Sequence, residues 1–189
     1  MLTKLRFLAV LLMLPLASHA AEFDLNQLLA QLAQTKSAHA TFTEKQYIGL
    51  IDKPLESSGE LAYTAPGHLE KRTLQPKTEA LLLDAGTLTI ERGNRRHVLK
   101  LQDYPEIAAF IDSIRATLAG DRGALEAAYR NELDGRFERW TLRLTPLSSK
   151  MLAKVSRVRI SGVRTELRQI EIIQADGDRS VMTIDKAGQ

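Results

Sequence analysis

A period-two alternation of apolar and polar residues runs through most of the chain after residue 40 and constrains its fold more than any other feature. The alternation is cleanest at Trp140, Leu142 and Leu144, which are separated by Thr and Arg. This pattern is typical of strands that bury one face and expose the other. Turn signals such as Pro66-Gly67 and Gly93-Asn94 separate the runs. The sequence therefore predicts about nine strands in one antiparallel sheet with one wet face and one buried face.

Three segments instead carry apolar residues at helical spacing. Asp24, with Gln27 three residues later, forms a capping-box pattern in front of the first segment. Pro105 is well placed at the first position of the second, which Gly120 ends. A third begins at Asp121, and its apolar side would hold Leu125, Ala128, Tyr129 and Leu133.

The fold class that follows is α+β, with a curved antiparallel sheet covered by about three helices. A long twisted antiparallel sheet curls, and its apolar face must be covered. The space between sheet and helices is then either a packed core or an apolar cavity. Periodicity alone does not distinguish these two outcomes, because aliphatic residues such as Leu81, Leu83, Leu88, Ile90, Ile107 and Ile111 suit both.

The N-terminus has the three parts of a secretory signal peptide. Lys4 and Arg6 supply positive charge, residues 8–16 are apolar, and Ser18-His19-Ala20 is a signal-peptidase site. The apolar run is too short for a transmembrane helix, which needs about 20 residues. We expect cleavage after Ala20, with residues 1–20 as the signal and 21–189 as a single periplasmic domain. An uncleaved N-terminal anchor is the alternative.

Composition narrows the function classes further. The chain has no cysteine, so attachment of lipid to an N-terminal cysteine is excluded and packing must replace disulfides. Removal of Lys4 and Arg6 with the signal lowers the basic residues from 26 to 24 against 23 acidic ones, a net charge of +1. Nothing in this balance indicates a nucleic-acid partner.

Motifs for catalysis and metal binding are missing from the sequence. There is no glycine-rich phosphate loop, no Gly-x-Ser-x-Gly elbow, and His39, His68 and His97 do not have metal-ligand spacing. We therefore predict no catalytic residue, no metal site and no cofactor. The basic series Arg157, Arg159, Arg164 and Arg168 either meets lipid phosphates or an acidic partner, or forms the solvated face of the sheet.

The order of short segments resembles the LolA-like outer-membrane lipoprotein carrier family over nearly all of residues 21–189. It starts with a signal peptide and an amphipathic helix, followed by Ala40-Thr41-Phe42-Thr43-Glu44. The later segments are Gly59-Glu60-Leu61, Pro66-Gly67-His68-Leu69, Pro76, Leu81-Leu82-Leu83-Asp84-Ala85-Gly86 and Ile170-Glu171-Ile172. Their order and spacing together carry the resemblance.

The resemblance implies an unclosed, roughly half-barrel sheet with a helical lid and acyl chains held between them. It also implies a monomer that ferries lipidated cargo through the periplasm, from an inner-membrane exporter to an outer-membrane acceptor, without nucleotide or cofactor. The residues expected to line the cavity are Phe42, Leu61, Leu69, Leu81, Leu83, Leu88, Ile90, Leu99, Ile107, Phe110, Ile111, Trp140, Leu142 and Ile160.

The chain departs from the family pattern after the Pro-Gly turn. Carriers have aromatic, arginine and aromatic residues there, and the arginine bonds to the lid, whereas this chain has Leu69, Glu70 and Lys71. In this respect the chain is similar to a divergent branch of the family, whose members are found beside lipid exporters. The expected cargo is therefore a lipoprotein, a glycolipid or a polyene-type lipid. A lipid- or partner-sensing module of the same fold is the alternative function.

Overall fold

The computed structural model describes residues 23–186, and the predicted signal peptide lies outside this range. Eleven strands form one sheet. The strands are β1 Ser37–Tyr47, β2 Leu55–Thr64, β3 His68–Gln75, β4 Glu79–Asp84, β5 Thr87–Arg92, β6 Arg95–Lys100, β7 Tyr129–Arg136, β8 Arg139–Pro146, β9 Val155–Val163, β10 Glu166–Gln174 and β11 Arg179–Lys186.

The sheet is antiparallel throughout and remains open. Its spatial order is β6-β5-β4-β3-β2-β1-β11-β10-β9-β8-β7, so β6 and β7 lie at opposite ends and do not pair with each other. Strand β1 pairs with β11 as well as with β2 and thereby joins the early and late strands. The predicted α+β class with an unclosed antiparallel half-barrel is confirmed.

In the described part of the chain, four α-helices and one short 3-10 helix accompany the sheet. They are α1 Leu25–Leu32, the 3-10 helix Leu101–Asp103, α2 Pro105–Ala119, α3 Arg122–Ala128 and α4 Ser149–Leu152. The caps follow the sequence signals. The Asp24 carboxylate accepts from the Gln27 amide at 2.8 Å, and Gly120 ends α2 in the left-handed conformation with φ of 73°.

The third predicted helix is shorter than the apolar spacing indicated. It ends at Ala128, and Tyr129–Arg136 is strand β7, which pairs with β8 from Tyr129–Pro146 to Arg136–Arg139. Tyr129 and Leu133 are four residues apart and therefore fit a helical face and one side of a strand equally well. Pairing with β8 decides between them, and the strand count rises to eleven.

One half of the concave face is filled by a packed core. Side chains from β8, β9 and β10 meet α1, α3 and α4 there. The buried members include Leu28, Leu29, Leu32, Leu125, Trp140, Leu142, Leu144, Met151, Val158 and Ile160. These large side chains exclude water from this part of the sheet.

The indole of Trp140 fits this core only because residue 162 lacks a side chain. A Cβ placed on Gly162 would lie 2.3 Å from Cζ2 of Trp140 and 2.7 Å from the carbonyl oxygen of Glu166. The indole Nε1 donates to the carbonyl oxygen of Arg164 at 2.8 Å, which holds the ring in place. A methyl group at position 162 must therefore displace either the ring or the backbone.

We expect Gly162→Ala to lower the free energy of unfolding by about 1–3 kcal/mol, the usual cost of overpacking a filled core. The measurement is urea unfolding followed by the fluorescence of Trp140, the single tryptophan of the chain. Gly123→Ala is the control, since a Cβ there meets only Oδ1 of Asp121 at an ordinary 3.8 Å. Equal midpoints for Gly162→Ala and the unmodified protein would show that the ring moves without cost.

Candidate functional site

Helix α2 crosses the β1–β5 half of the concave face without lying directly on it. Its backbone packs mainly against α1, α3, α4 and the 3-10 helix. A Cβ on Gly120 would lie 2.7 Å from the carbonyl oxygen of Leu29 and 2.8 Å from Cβ of Ala33, so the C-terminal end of α2 is seated closely on α1. Side chains of α2 such as Ile107 and Ile111 reach down to the sheet.

A cavity of about 810 Å³ lies beneath α2. This volume is within the range of roughly 300–1,000 Å³ that is usual for small-molecule sites. Its floor comes from the concave side of β1–β5, β10 and β11, and its roof from α2. The apolar residues lining it include Leu61, Leu69, Leu81, Leu83, Leu88, Ile90, Ile107, Phe110, Ile111, Ile114, Leu118, Ile170, Ile172, Met182 and Ile184.

A buried ion pair interrupts this apolar lining. Glu44 is only 6% exposed, and its carboxylate accepts from Nζ of Lys71 and from Oγ of Ser180, each at 2.5 Å. The Lys71 ammonium also lies 4.9 Å from the centroid of the Phe42 ring, a cation–π distance. Phe42 and Glu44 are two residues apart on β1 and therefore lie on the same face of the sheet.

Burial of Glu44 tends to raise the pKa of its carboxyl group. The nearby charge of Lys71 and the hydrogen bonds from Lys71 and Ser180 act in the opposite direction and together outweigh burial, so the pKa lies below its ordinary value. Glu44 is therefore ionised at neutral pH. A fixed charge pair inside the cavity wall follows from this balance.

The ion pair belongs to a polar border at one end of the cavity. On the next strands Arg92 pairs with Glu79, and both residues line the cavity. The same four residues, Glu44, Lys71, Glu79 and Arg92, also line an adjoining hollow of about 690 Å³. That hollow continues over polar residues such as Gln46, Ser57 and Thr73, so the polar border separates an apolar space from a polar one.

Nine of the residues expected to line a cavity do so. They are Leu61, Leu69, Leu81, Leu83, Leu88, Ile90, Ile107, Phe110 and Ile111. The strand register explains the grouping on the sheet, because Leu69–Leu83–Leu88 and Leu81–Ile90 are directly opposite one another and so share a face.

The other five residues of that set are not among the lining residues. Trp140, Leu142 and Ile160 are in the packed core under α1, because helices fill the concave face at β8 and β9. Phe42 is buried beneath the Lys71 ammonium. Leu99 lies near the edge of the sheet and packs against the cluster of Leu83, Leu88 and Leu101.

Several lining residues were missed by the pattern analysis. Ile114 and Leu118 continue the helical spacing of α2 toward its C-terminus and could have been included by extending that face. Ile170 on β10 and Met182 and Ile184 on β11 also line the cavity. These two strands are far from β1 along the chain, so sequence patterns alone do not bring them together. Tyr63 also lines the cavity and is opposite Leu69 in the register.

The carboxylate of Glu70 bonds along its own strand, and not to helix α2, which covers the cavity. The Glu70 carboxylate accepts from Nε of Arg72 at 3.1 Å on the same strand. On α2, Nε of Arg115 donates to Oδ1 of Asp112 at 3.0 Å, and the aliphatic part of Arg115 lies close to the turn at Gly67. Apolar contacts of Ile107 and Ile111 with Leu83 and its neighbours hold the N-terminal half of α2 on the sheet.

Two arginines of the basic series, Arg159 and Arg168, form ion pairs on the sheet. Nη1 of Arg159 lies 2.6 Å from Oε2 of the buried Glu171, and Arg168 pairs with Glu166. Among the side chains that the structure describes, no group of three or more His, Asp or Glu residues is arranged to hold a metal ion. None of the helices in that range combines the length and apolar character needed to cross a membrane.

The family comparison matches almost the whole chain. A family model described as outer membrane lipoprotein carrier protein LolA-like covers residues 17–188. A DUF1329 family protein from Desulfovibrio piger is similar in fold, with a TM-score of 0.50 and 12% identity over 85% of this chain and 88% of the other. Among curated proteins, none matches the sequence significantly.

Two further solved structures are more distant. A LolA superfamily protein, NE2245 from Nitrosomonas europaea, has a TM-score of 0.42 and 9% identity over 86% of this chain and 93% of that one. The Pseudomonas aeruginosa MucA/MucB complex gives a TM-score of 0.47 and 14% identity over 86% of this chain, but only 56% of that chain.

We expect Glu44→Gln to lower the free energy of unfolding by about 1–3 kcal/mol at pH 7, because Lys71 loses its buried counter-charge. The folded-state pKa of Glu44 lies below its unfolded value, so the ion pair stabilises fully above the unfolded pKa. That contribution is lost as pH falls through the folded-state pKa. Urea titrations from pH 7 to acidic pH should therefore show the difference between the two proteins shrinking.

Glu56→Gln is the matched control, since Glu56 pairs with Lys45 at the surface and both side chains are more than half exposed. Its effect should stay within about 0.5 kcal/mol. A difference for Glu44→Gln that stays constant from neutral to acidic pH would show that the ion pair is not its source.

Proposed function

Because the chain belongs to the family of LolA-like outer-membrane lipoprotein carriers, we propose that it is a periplasmic carrier for an acylated cargo. The carrier binds acyl chains in the cavity between α2 and the concave face of the sheet. The single observation that carries the proposal is that cavity of about 810 Å³, walled mainly by Leu and Ile side chains.

The apolar lining supplies the affinity that such a carrier needs. Transfer of a methylene group from water to an apolar site is worth about 0.8 kcal/mol. A chain of a dozen methylenes therefore gains on the order of 10 kcal/mol before the costs of ordering it are subtracted. This gain needs no nucleotide or cofactor, and we infer that the protein acts by binding rather than by catalysis.

The polar border suits the part of the cargo that remains hydrated. The ion pairs Glu44–Lys71 and Glu79–Arg92 lie where the apolar cavity meets the polar hollow. An acyl chain bound beneath α2 would bring its headgroup to this border, where charges of both signs can replace water. Formal charge is balanced there, so cargo of either sign or none is accommodated.

The proposed route of the cargo follows from the proposed signal peptide. Residues 1–20 direct the chain to the periplasm and are cleaved after Ala20. The carrier then accepts cargo from an inner-membrane exporter and delivers it to an outer-membrane acceptor. The cargo is a lipoprotein, a glycolipid or a polyene-type lipid, since acyl chains are the part that the cavity recognises.

Native mass spectrometry tests the proposal on the mature protein, purified from a periplasm without detergent. We expect a fraction of molecules to carry an added mass of lipid size, and fragmentation then identifies the cargo. A protein that neither retains lipid nor takes it up from vesicles would contradict the carrier function. Capture of one stoichiometric membrane partner by such a protein would favour the sensing module instead.

We expect Leu81→Trp to reduce lipid occupancy several-fold, because the indole fills cavity space that an acyl chain would use. Leu82→Trp is the matched control. Both leucines are partly buried neighbours on β4, but Leu82 is opposite Glu70 and Thr89 and is not among the lining residues. Occupancy is measured by native mass spectrometry, and circular dichroism checks that both variants fold. Equal occupancy in the two variants would place the lipid elsewhere.

A further inference from the structure

The hydroxyl group of Tyr63 is a buried donor without a partner. Tyr63 is 4% exposed, and its Oη makes no hydrogen bond within the structure of residues 23–186. Asn131 on β7 holds the other buried side-chain oxygen of this kind in that range, outside the cavity. Leaving such a group unpaired costs about 1–3 kcal/mol, so an unpaired hydroxyl at a binding site calls for a ligand or water to pair with it.

The strand register places Tyr63 in the wall of the cavity. In the strand register Tyr63 is opposite Ala38 on β1 and Leu69 on β3, and Leu69 is opposite Leu83 on β4. Residues directly opposite in an antiparallel sheet share a face, and all four line the cavity. Tyr63 is thus the phenol within an otherwise aliphatic row beneath α2.

The Tyr63 hydroxyl keeps its proton and can therefore donate a hydrogen bond. Burial raises the pKa of the phenol, while the positive charge of Arg115 on α2 acts against this rise, and the net shift is upward. The hydroxyl therefore stays protonated and available as a donor. A protonated hydroxyl without an acceptor in the described structure is completed by an oxygen lone pair.

Building on the proposed carrier function, we propose that the Tyr63 hydroxyl donates a hydrogen bond to an oxygen acceptor on the acyl part of the bound lipid. The acceptor is a carbonyl oxygen at the head of the chain or a hydroxyl oxygen along it. Both present a lone pair to a buried donor that has no partner within the described part of the protein. Because Oη is itself occluded, the acceptor reaches it as the side chains around Tyr63 move apart to admit the chain. The cavity then selects oxygenated acyl ligands over plain hydrocarbon chains of equal length.

Two matched pairs of phosphoglycerol lipids distinguish a carbonyl acceptor from a hydroxyl acceptor on the chain. Binding of each lipid is measured by its displacement of a fluorescent fatty-acid probe. The first pair is palmitoyl ester against hexadecyl ether, which differ in the carbonyl oxygen near the headgroup. The second is 12-hydroxystearoyl against stearoyl ester, which differ in an oxygen on the chain. We expect the unmodified protein to prefer the oxygenated member of one pair by about five- to tenfold, the value of one net hydrogen bond.

In Tyr63→Phe that preference should fall to near one, while the plain member of the pair binds as before. The melting temperature of the empty variant should be equal or higher, since only an unpaired group is removed. Tyr47→Phe is the control, because Tyr47 is exposed and its ring lies under Arg179, and it should keep the full preference.

A preference that Tyr63→Phe retains, or that the unmodified protein lacks in both pairs, would overturn the inference while leaving the carrier function intact. A large loss of melting temperature in Tyr63→Phe would also overturn it, because the hydroxyl would then serve the fold. Binding of none of the four lipids would instead contradict the carrier function itself.

Discussion

The width of one apolar sheet face is the constraint on which this structure depends. Eleven antiparallel strands form a continuous concave surface, and the described part of the chain has four α-helices to cover it. Helices α1, α3 and α4 gather over the β7–β10 half and fill it. The remaining half is bridged by α2 alone, which rests on its neighbouring helices, so a space persists beneath it.

The sequence specifies which residues face inward but not what lies above them. Leu81 and Leu83 have the same period-two signature as Leu142 and Leu144, yet the first pair lines a cavity and the second is in a filled core. The difference arises from long-range packing, such as the close seating of Gly120 on α1, which no local pattern encodes. Tyr129 and Leu133 were misread for a related reason, since their spacing satisfies two periods at once.

Polar residues inside the concave face could have been anticipated, but only in part. Glu44 follows Phe42 by two residues, so its inward direction was readable from the alternation. Its partners Lys71 and Ser180 come from strands on either side of β1, and their identity requires the observed strand order. The charge pair therefore depends on β1 joining the first strands to the last.

An open sheet also has two edges, and a strand edge is a template on which another chain can pair. At one edge, β6 holds Arg95, Arg96, His97 and Lys100 within six largely exposed residues. At the other, Arg130, Glu132, Asp134 and Arg136 alternate along β7 with the residues that face the core. Charges at such positions discourage strand addition and edge-to-edge aggregation. The charged edges thus let the half-barrel keep an open sheet without offering either edge to a second copy of the chain.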